Sequence, residues 1–211
     1  MTKIKFDSFK SILCLNGDIP PKSFFNKHPN LIIIAADGAG ASLIKMGIYP
    51  KMIIGDFDSF AGDLNHPNIE YIKHADQNST DYEKSILEME KRSLFPALVC
   101  GGLGKEVDHA INNMRCLMKY GNKHPMVFYN NRSSKKAQYC IPIYDQFNFK
   151  TKIGDKVSLL PYPEATLSTE GLKWNLDNTH LSMAGKSSAR NQASAAEVSI
   201  KIHQGQIMLV I

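Results

Sequence analysis

Six short apolar runs along the first part of the chain constrain its fold more than any other feature. They read SILCL (11–15), LIIIAA (31–36), KMIIG (51–55), EYIKH (70–74), ALVCG (97–101) and MVFYN (126–130). Most are apolar at every position instead of at alternate ones, as expected of strands covered on both faces. Helix-like stretches lie between them. STDYEKSILEMEKRS opens with Thr80 and Glu83 in capping-box spacing and sets Tyr82, Ile86 and Met89 on one face. VDHAINNMRCLMKYG sets Ile111, Met114 and Met118 on one face and ends at Gly121, the expected C′ residue. Repeated strand-helix-strand units of this kind predict a doubly wound, Rossmann-like, mostly parallel sheet.

Beyond residue 136 the pattern changes. QYCIPIY, QFNFKTK, KVSLLPY, HLSMA, EVSIKIH and QIMLVI are strand-like runs separated by Gly, Pro, Asn and Asp, and no long helical period intervenes. The last two runs meet across HQGQ, which predicts a hairpin. The expected fold class is therefore α/β plus β. An α/β domain over 1–136 is followed by a small antiparallel β-sandwich over 137–211, too small to bury much core alone.

Composition narrows the function classes. With 43% apolar and 21% charged residues the chain is an ordinary globular protein. A formal charge of +5 suits anionic ligands such as nucleotides but is too diffuse to predict a nucleic-acid partner. The one basic cluster, Arg132, Lys135 and Lys136, reads as a solvated turn. Cys14, Cys100, Cys116 and Cys140 show no metal-site spacing, and the first two lie in apolar runs, so buried free thiols in a reducing compartment are expected. The N-terminal residues lack an apolar signal core and no run is long enough to span a bilayer, which predicts a soluble cytoplasmic protein without membrane partners.

The functional signal lies in carboxylates. In IIGDFDSF, Asp56 and Asp58 stand two positions apart directly behind a buried run. Two carboxylates ~4 Å apart repel by ~4 kcal/mol at an effective dielectric of 20, so either a cation offsets the pair or water screens it. Open α/β sheets bind ligands beyond the carboxyl ends of their strands. Asp37 follows the second run, Asp56 and Asp58 the third, the Asp76–Asp81 segment the fourth, and GGLG with Asp108 the fifth. Singly, each reads as a turn or helix cap. Together they predict a shared hard cation, because Mg²⁺ prefers a few carboxylates plus phosphate oxygens and water.

Common motifs fail on inspection. Phe60 and Ala61 break an EF-hand, Val99 and Glu106 break a P-loop, and Leu43 takes the last glycine position of a dinucleotide fingerprint. Gly101-Gly102-Leu103-Gly104 can still offer backbone N–H groups to an anion.

IIGDFDS, DQNSTD, GGLGKEVDH and GLKWNL, in this order, resemble the hallmark segments of the thiamine pyrophosphokinase family, from Asp37 to about Asn191. The resemblance implies an enzyme that moves the pyrophosphoryl group of ATP to the hydroxyl of thiamine, giving thiamine diphosphate and AMP. It also implies Mg²⁺ as cofactor and a homodimer with active sites at the subunit interface. Asp56, Asp58 and Asp81 would then bind metal, with Asp37 and Asp108 close to the reacting groups. Gln77, Thr80, Gly102, Gly104 and Lys105 would face ATP. Trp174, Ser188 and Asn191 would contact thiamine from the partner subunit. Other readings are a diphosphokinase for another small, pterin-like alcohol and a non-catalytic thiamine or nucleotide sensor.

The chain departs from the family pattern in three places. Ala39-Gly40-Ala41-Ser42 replaces a Gly-Ala-Asn-Arg stretch, Lys105-Glu106 replaces Gly-Arg, and Ala189-Arg190-Asn191 replaces Thr-Ser-Asn. Lys105 and Arg190 are the candidates to restore the lost positive charge.

Overall fold

A computed structural model describes residues 8–58, 66–76, 78–131 and 137–211. The chain falls into two compact units that part between Ala137 and Gln138. In the first unit the elements run β1 (Ser11–Cys14), α1 (Lys22–Asn26), β2 (Ile32–Ala36), α2 (Gly38–Lys45), β3 (Met52–Gly55), β4 (Glu70–Lys73), α3 (Asp81–Lys91), β5 (Ala97–Cys100), α4 (Val107–Tyr120) and β6 (Met126–Asn130). Each of the six apolar runs is a strand. They lie in the order β6-β5-β1-β2-β3-β4 with every pairing parallel.

The core supports the reading of these strands as covered on both faces. All four residues of β1, of β3 and of β5 are buried. Ile12, Leu13, Ile34, Ile53, Ile54 and Leu98 have no exposed surface. At ~1.5–3 kcal/mol for each such side chain, this apolar layer dominates the stability of the unit. Chain order and space part between β1 and β5, which are neighbours although three strands intervene in sequence. That is the topological switch point at which open sheets bind ligands.

α3 forms as the capping box predicts. The Glu83 backbone N–H donates to Thr80 Oγ1 (3.3 Å), and the Thr80 N–H donates to Glu83 Oε2 (3.3 Å). Tyr82, Ile86 and Met89 are buried. Helix α4 corrects the expected face. Met118 is buried with Cys116 and Leu117, but Ile111 is 59% exposed. The reason is local: in its first two turns α4 lines a polar pocket with Asp108, His109, Asn112 and Asn113, so the apolar residue there turns outward. Gly121 is the C-cap itself, at a helical φ of −64°, and not a left-handed C′ residue.

The second unit contains β7 (Gln138–Ile143), β8 (Gln146–Lys150), β9 (Lys156–Glu170), β10 (Thr179–Ser182), β11 (Ser188–Gln192) and β12 (Glu197–Val210), all paired antiparallel. The predicted HQGQ hairpin is absent, because EVSIKIH and QIMLVI form one strand, β12, along β9. Register shifts between Ile202 and Gln204 and between Gly205 and Ile207 absorb the polar segment as bulges. Gly205 has φ +76°, and a Cβ there would lie 2.2 Å from the Glu164 carbonyl oxygen, so the glycine serves a bulge and close strand contact instead of a turn. β11 has no apolar run to announce it.

All four cysteines are buried and free. No helix among the described residues is long and apolar enough to cross a membrane.

Candidate active site

A cavity of about 590 Å³ opens at the carboxyl ends of the parallel strands, within the usual range for small-molecule sites. Its wall is built from five loops. Leu15, Asn16 and Gly17 follow β1, Asp37 and Gly38 follow β2, and Asp56 follows β3. Ser79, Thr80, Asp81 and Lys84 come from the start of α3, and Gly104, Lys105, Glu106 and Asp108 come after β5.

The loops after β1 and β5 are locked together at the switch point. Leu15 N–H donates to Cys100 O, Gly17 N–H to Gly101 O (2.9 Å), and Asp18 N–H to Leu103 O (2.8 Å). A Cβ on Gly17 would sit 2.3 Å from the carbonyl oxygens of both Gly101 and Leu103, so only glycine permits this approach. Above this zipper the Lys105 ammonium donates to Asn16 Oδ1 at 2.8 Å, which places a cation at the cavity wall.

Asp37 is buried, and its backbone takes φ 29°, ψ −107° at the head of α2. Phe57, between Asp56 and Asp58, also has positive φ (64°). Lys105 in the cavity wall has positive φ as well (54°), and such clustering of non-glycine residues in rarely populated backbone regions is typical of functional sites. Gly55 makes room for the arrangement, since a Cβ there would lie 2.7 Å from the Cβ of Asp37.

Asp56 has a counter-ion, although not one that it shares with Asp58. Lys84, only 3% exposed in its side chain, donates from Nζ to Asp81 Oδ1 at 3.1 Å and stands 3.8 Å from Asp56 Oδ2. A buried ammonium therefore offsets two of the three predicted metal ligands. Asp58 is exposed and outside the cavity wall, and its backbone N–H donates to Asp56 Oδ1 (3.2 Å). Among the described residues no group of three or more His, Cys, Asp or Glu side chains is gathered closely enough to hold a metal. The donors present are nonetheless of the right kind. Asp56 and Asp81 aim hard carboxylate oxygens at one shared cation, which is what Mg²⁺ requires of its protein ligands.

Thr80 and Asp81 are held in place from behind. Glu83 Oε1 accepts from Tyr120 Oη (3.1 Å), Arg115 Nη2 (3.3 Å) and Lys119 Nζ (3.4 Å), tying α3 to α4. Burial alone would raise the Glu83 carboxyl, but hydrogen bonds from the Thr80 backbone, Tyr120, Lys119 and Arg115 outweigh it and hold the group below its ordinary value.

Some residues of the predicted rim stand outside the cavity wall. Asp76 closes its own turn, accepting from Asn78 N–H (2.9 Å) and Ser79 Oγ (2.5 Å), and it does not line the cavity. Those hydrogen bonds, Ser79 first, hold its carboxyl below the usual range. Gly102 lies beneath the cavity wall: a Cβ there would meet the Phe128 ring at 2.7 Å, and its carbonyl accepts from Asn113 Nδ2. Gln77 lies outside the described residues, as do Phe60, Ala61 and the basic cluster Arg132, Lys135 and Lys136. The sequence reading missed Asn16 and Lys84. Asn16 follows a strand at its carboxyl end, a signal present in the sequence, whereas Lys84 stands three residues after Asp81 on a helix, a spacing that ordinary surface pairs share.

In the second unit, Trp174, Ser188 and Asn191 come together. Asn191 is buried, and its Nδ2 donates to Trp174 O (2.8 Å) and Ser188 Oγ (3.1 Å). Its Oδ1 accepts from the backbone N–H groups of Trp174 (3.3 Å) and Gln192 (2.8 Å). The tethered indole is 56% exposed, and Lys173 Nζ stands 4.8 Å from its ring centroid. Arg190, in a left-handed conformation, donates its backbone N–H to Ser158 Oγ.

Comparison with known proteins agrees with this division of the chain. The family model described as "Thiamin pyrophosphokinase, catalytic domain" matches residues 25–129, and "Thiamin pyrophosphokinase, vitamin B1 binding domain" matches 145–207. The chain is 26% identical over 216 residues to "Thiamin pyrophosphokinase 1" of Caenorhabditis elegans, covering 92% of this chain and 86% of the relative. It is 29% identical over 165 residues to "Thiamine pyrophosphokinase 1" of Oryza sativa subsp. japonica, covering 70% of this chain and 61% of that longer protein. The fold is shared with the crystal structure of yeast thiamin pyrophosphokinase at TM-score 0.76 and 20% identity, over 97% of this chain and 86% of that one. Two family models that between them account for most of the chain, in the order in which the two units are built, lead to one conclusion: the chain belongs to the thiamin pyrophosphokinase family.

Proposed function

We propose that the cavity of the first unit is where ATP meets the hydroxyl of thiamine. In this reading the protein transfers a pyrophosphoryl group from ATP to thiamine, releasing thiamine diphosphate and AMP. Membership of the family makes the protein a thiamine diphosphokinase; the assignment of roles to residues is our reading. One observation carries it: a single cavity at the switch point combines the carboxylates Asp37, Asp56, Asp81 and Asp108 with the ammonium groups of Lys84 and Lys105. Carboxylates and cations lining one pocket suit a metal-bound polyphosphate far better than a neutral ligand.

Asp56, Asp58 and Asp81 would hold Mg²⁺. When bound, the ion supplies charge neutralisation along the phosphate oxygens and polarises the phosphorus under attack. The chain's own residues do the rest. Lys105, braced by Asn16, presents a positive charge to the phosphates in place of the family's arginine. Thr80, Gly104 and Gln77 would complete the nucleotide contacts. Asp37 and Asp108 are the carboxylates available to take the proton of the thiamine hydroxyl. Asp108 accepts its neighbour's backbone N–H (His109, 2.8 Å), which orients the side chain at the head of α4.

The second unit would supply the thiamine ring contact, from the partner subunit of a homodimer, through Trp174, Ser188 and Asn191. The exposed indole suits a ligand with a cationic thiazolium, which would stack on the face that Lys173 leaves open.

The test is AMP formation from ATP, with and without thiamine, in Mg²⁺ and in EDTA. AMP and thiamine diphosphate should form together, only with both substrates and metal. AMP formed with a pterin alcohol but not with thiamine would change the acceptor. Thiamine or ATP binding without any AMP would make the protein a sensor.

A further inference from the structure

Lys84 lines the cavity without an individual role so far, yet its side chain is almost wholly enclosed. Its ammonium touches Asp81, approaches Asp56, and retains only 3% of its side-chain exposure. A surface i,i+3 pair of this kind would contribute little. Here burial changes the argument. Two carboxylates brought near one another in a partly desolvated wall without a counter-charge are costly, and the Lys84 ammonium, within 4 Å of both, offsets that repulsion. The enclosure also has a helical cause. Asp81 is the first residue of α3, and Lys84 stands one turn along it, so the capping box that fixes Thr80 also fixes the lysine relative to Asp81.

We propose that Lys84 is a built-in counter-cation that holds Asp56 and Asp81 together before a divalent ion arrives and yields its position to that ion. The inference rests on the reading of Asp56 and Asp81 as metal ligands. On this reading Asp56 and Asp81 are turned to the lysine, and Asp58 joins them once the ammonium moves. Lys84 is thus a positioning residue. Once displaced it remains a cation in the wall of the same cavity, available to an incoming phosphate oxygen. Metal and anion would accordingly bind together more readily than either alone, because each relieves a charge that the other exposes.

The experiment measures Mn²⁺ binding to the nucleotide-free protein by electron paramagnetic resonance and calorimetry, in wild type, Lys84→Met and Lys84→Arg. Removal of the competing cation should tighten Mn²⁺ binding at least tenfold in Lys84→Met, while Lys84→Arg stays within about threefold of wild type. A merely structural lysine would give the opposite sign, since loss of order in the two loops weakens the site. Unchanged or weaker binding in folded Lys84→Met overturns the proposal while leaving the metal assignment standing, provided wild type binds. Failure of all three proteins to bind Mn²⁺, with ATP present as well, overturns the metal assignment and the proposal with it. If Lys84→Met does not fold, the wild-type protein labelled with ¹⁵N-lysine decides. Its enclosed ammonium should give a resolved, slowly exchanging signal, assigned by its loss in Lys84→Arg, that shifts or disappears on addition of Mg²⁺. A signal unmoved by saturating Mg²⁺ overturns the proposal.

Discussion

Asn191→Ala is the most informative single change in the second unit, because one buried side chain holds both the backbone of Trp174 and the hydroxyl of Ser188. The amide makes four hydrogen bonds, two donated at 2.8 and 3.1 Å and two accepted at 2.8 and 3.3 Å. Each such bond contributes a net ~1 kcal/mol, and the groups orphaned by truncation cost more where water cannot reach them. Water can enter on the exposed side of this loop, so a total of about 2–4 kcal/mol is expected. For a chain of this size that corresponds to a fall in Tm of roughly 5–15 °C, at about 2–4 °C per kcal/mol. Ser188→Ala removes only the 3.1 Å bond and should cost about 1 kcal/mol or less. If the tether positions the indole for thiamine, Asn191→Ala should also weaken thiamine binding by roughly tenfold, equivalent to ~1.4 kcal/mol. Its affinity for ATP should stay within about twofold, since the ATP contacts are assigned to the other unit. Thermal unfolding and calorimetric titration with each substrate read the two effects separately. A folded variant with wild-type Tm refutes the stability argument. Wild-type thiamine affinity at a lowered Tm refutes the role of the tether in binding.

Two further outcomes follow from the electrostatics. Because the Glu83 carboxyl is held below its ordinary 4.5 in the folded state, its stabilising effect is complete above that value and lost as pH falls through the lower folded value. Glu83→Gln should therefore be less stable than wild type at neutral pH, with the gap closing in acid unfolding measured below about pH 4; a gap independent of pH would contradict the network. Burial pushes the Cys116 and Cys140 thiols up to about 11 and Cys100 well above its usual value, so none is nucleophilic at neutral pH. Dithionitrobenzoate should label the native protein slowly and release all four thiols on denaturation; rapid native labelling would contradict the burial.

How far the sequence could be read depended on whether a feature was local or depended on distant partners. The parallel strands were legible because β1, β3 and β5 are buried at every position, and so are apolar at every position. The start of α3 was legible because a capping box is a contact between residues three apart. The errors arose where a distant partner decides. Gly205 looks like a turn glycine until the Glu164 carbonyl is placed against it, and only then is a bulge in a continuous strand the better solution. Ile111 fits an apolar helical stripe, but the first two turns of α4 face a cavity instead of a core. The site shows the same division. Asp37, Asp56, Asp81 and Asp108 could be assigned to one rim from strand order alone, since they follow strands at their carboxyl ends. Lys84 could not, because Asp81 and Lys84 three apart on a helix is also the spacing of an ordinary surface pair. Only the approach of Asp56 from β3, together with burial of the lysine, makes the pair part of the site. An acidic rim read from sequence therefore overstates the negative charge of the cavity, and affinity for a divalent ion should be set by what the ion must displace as much as by the carboxylates it meets.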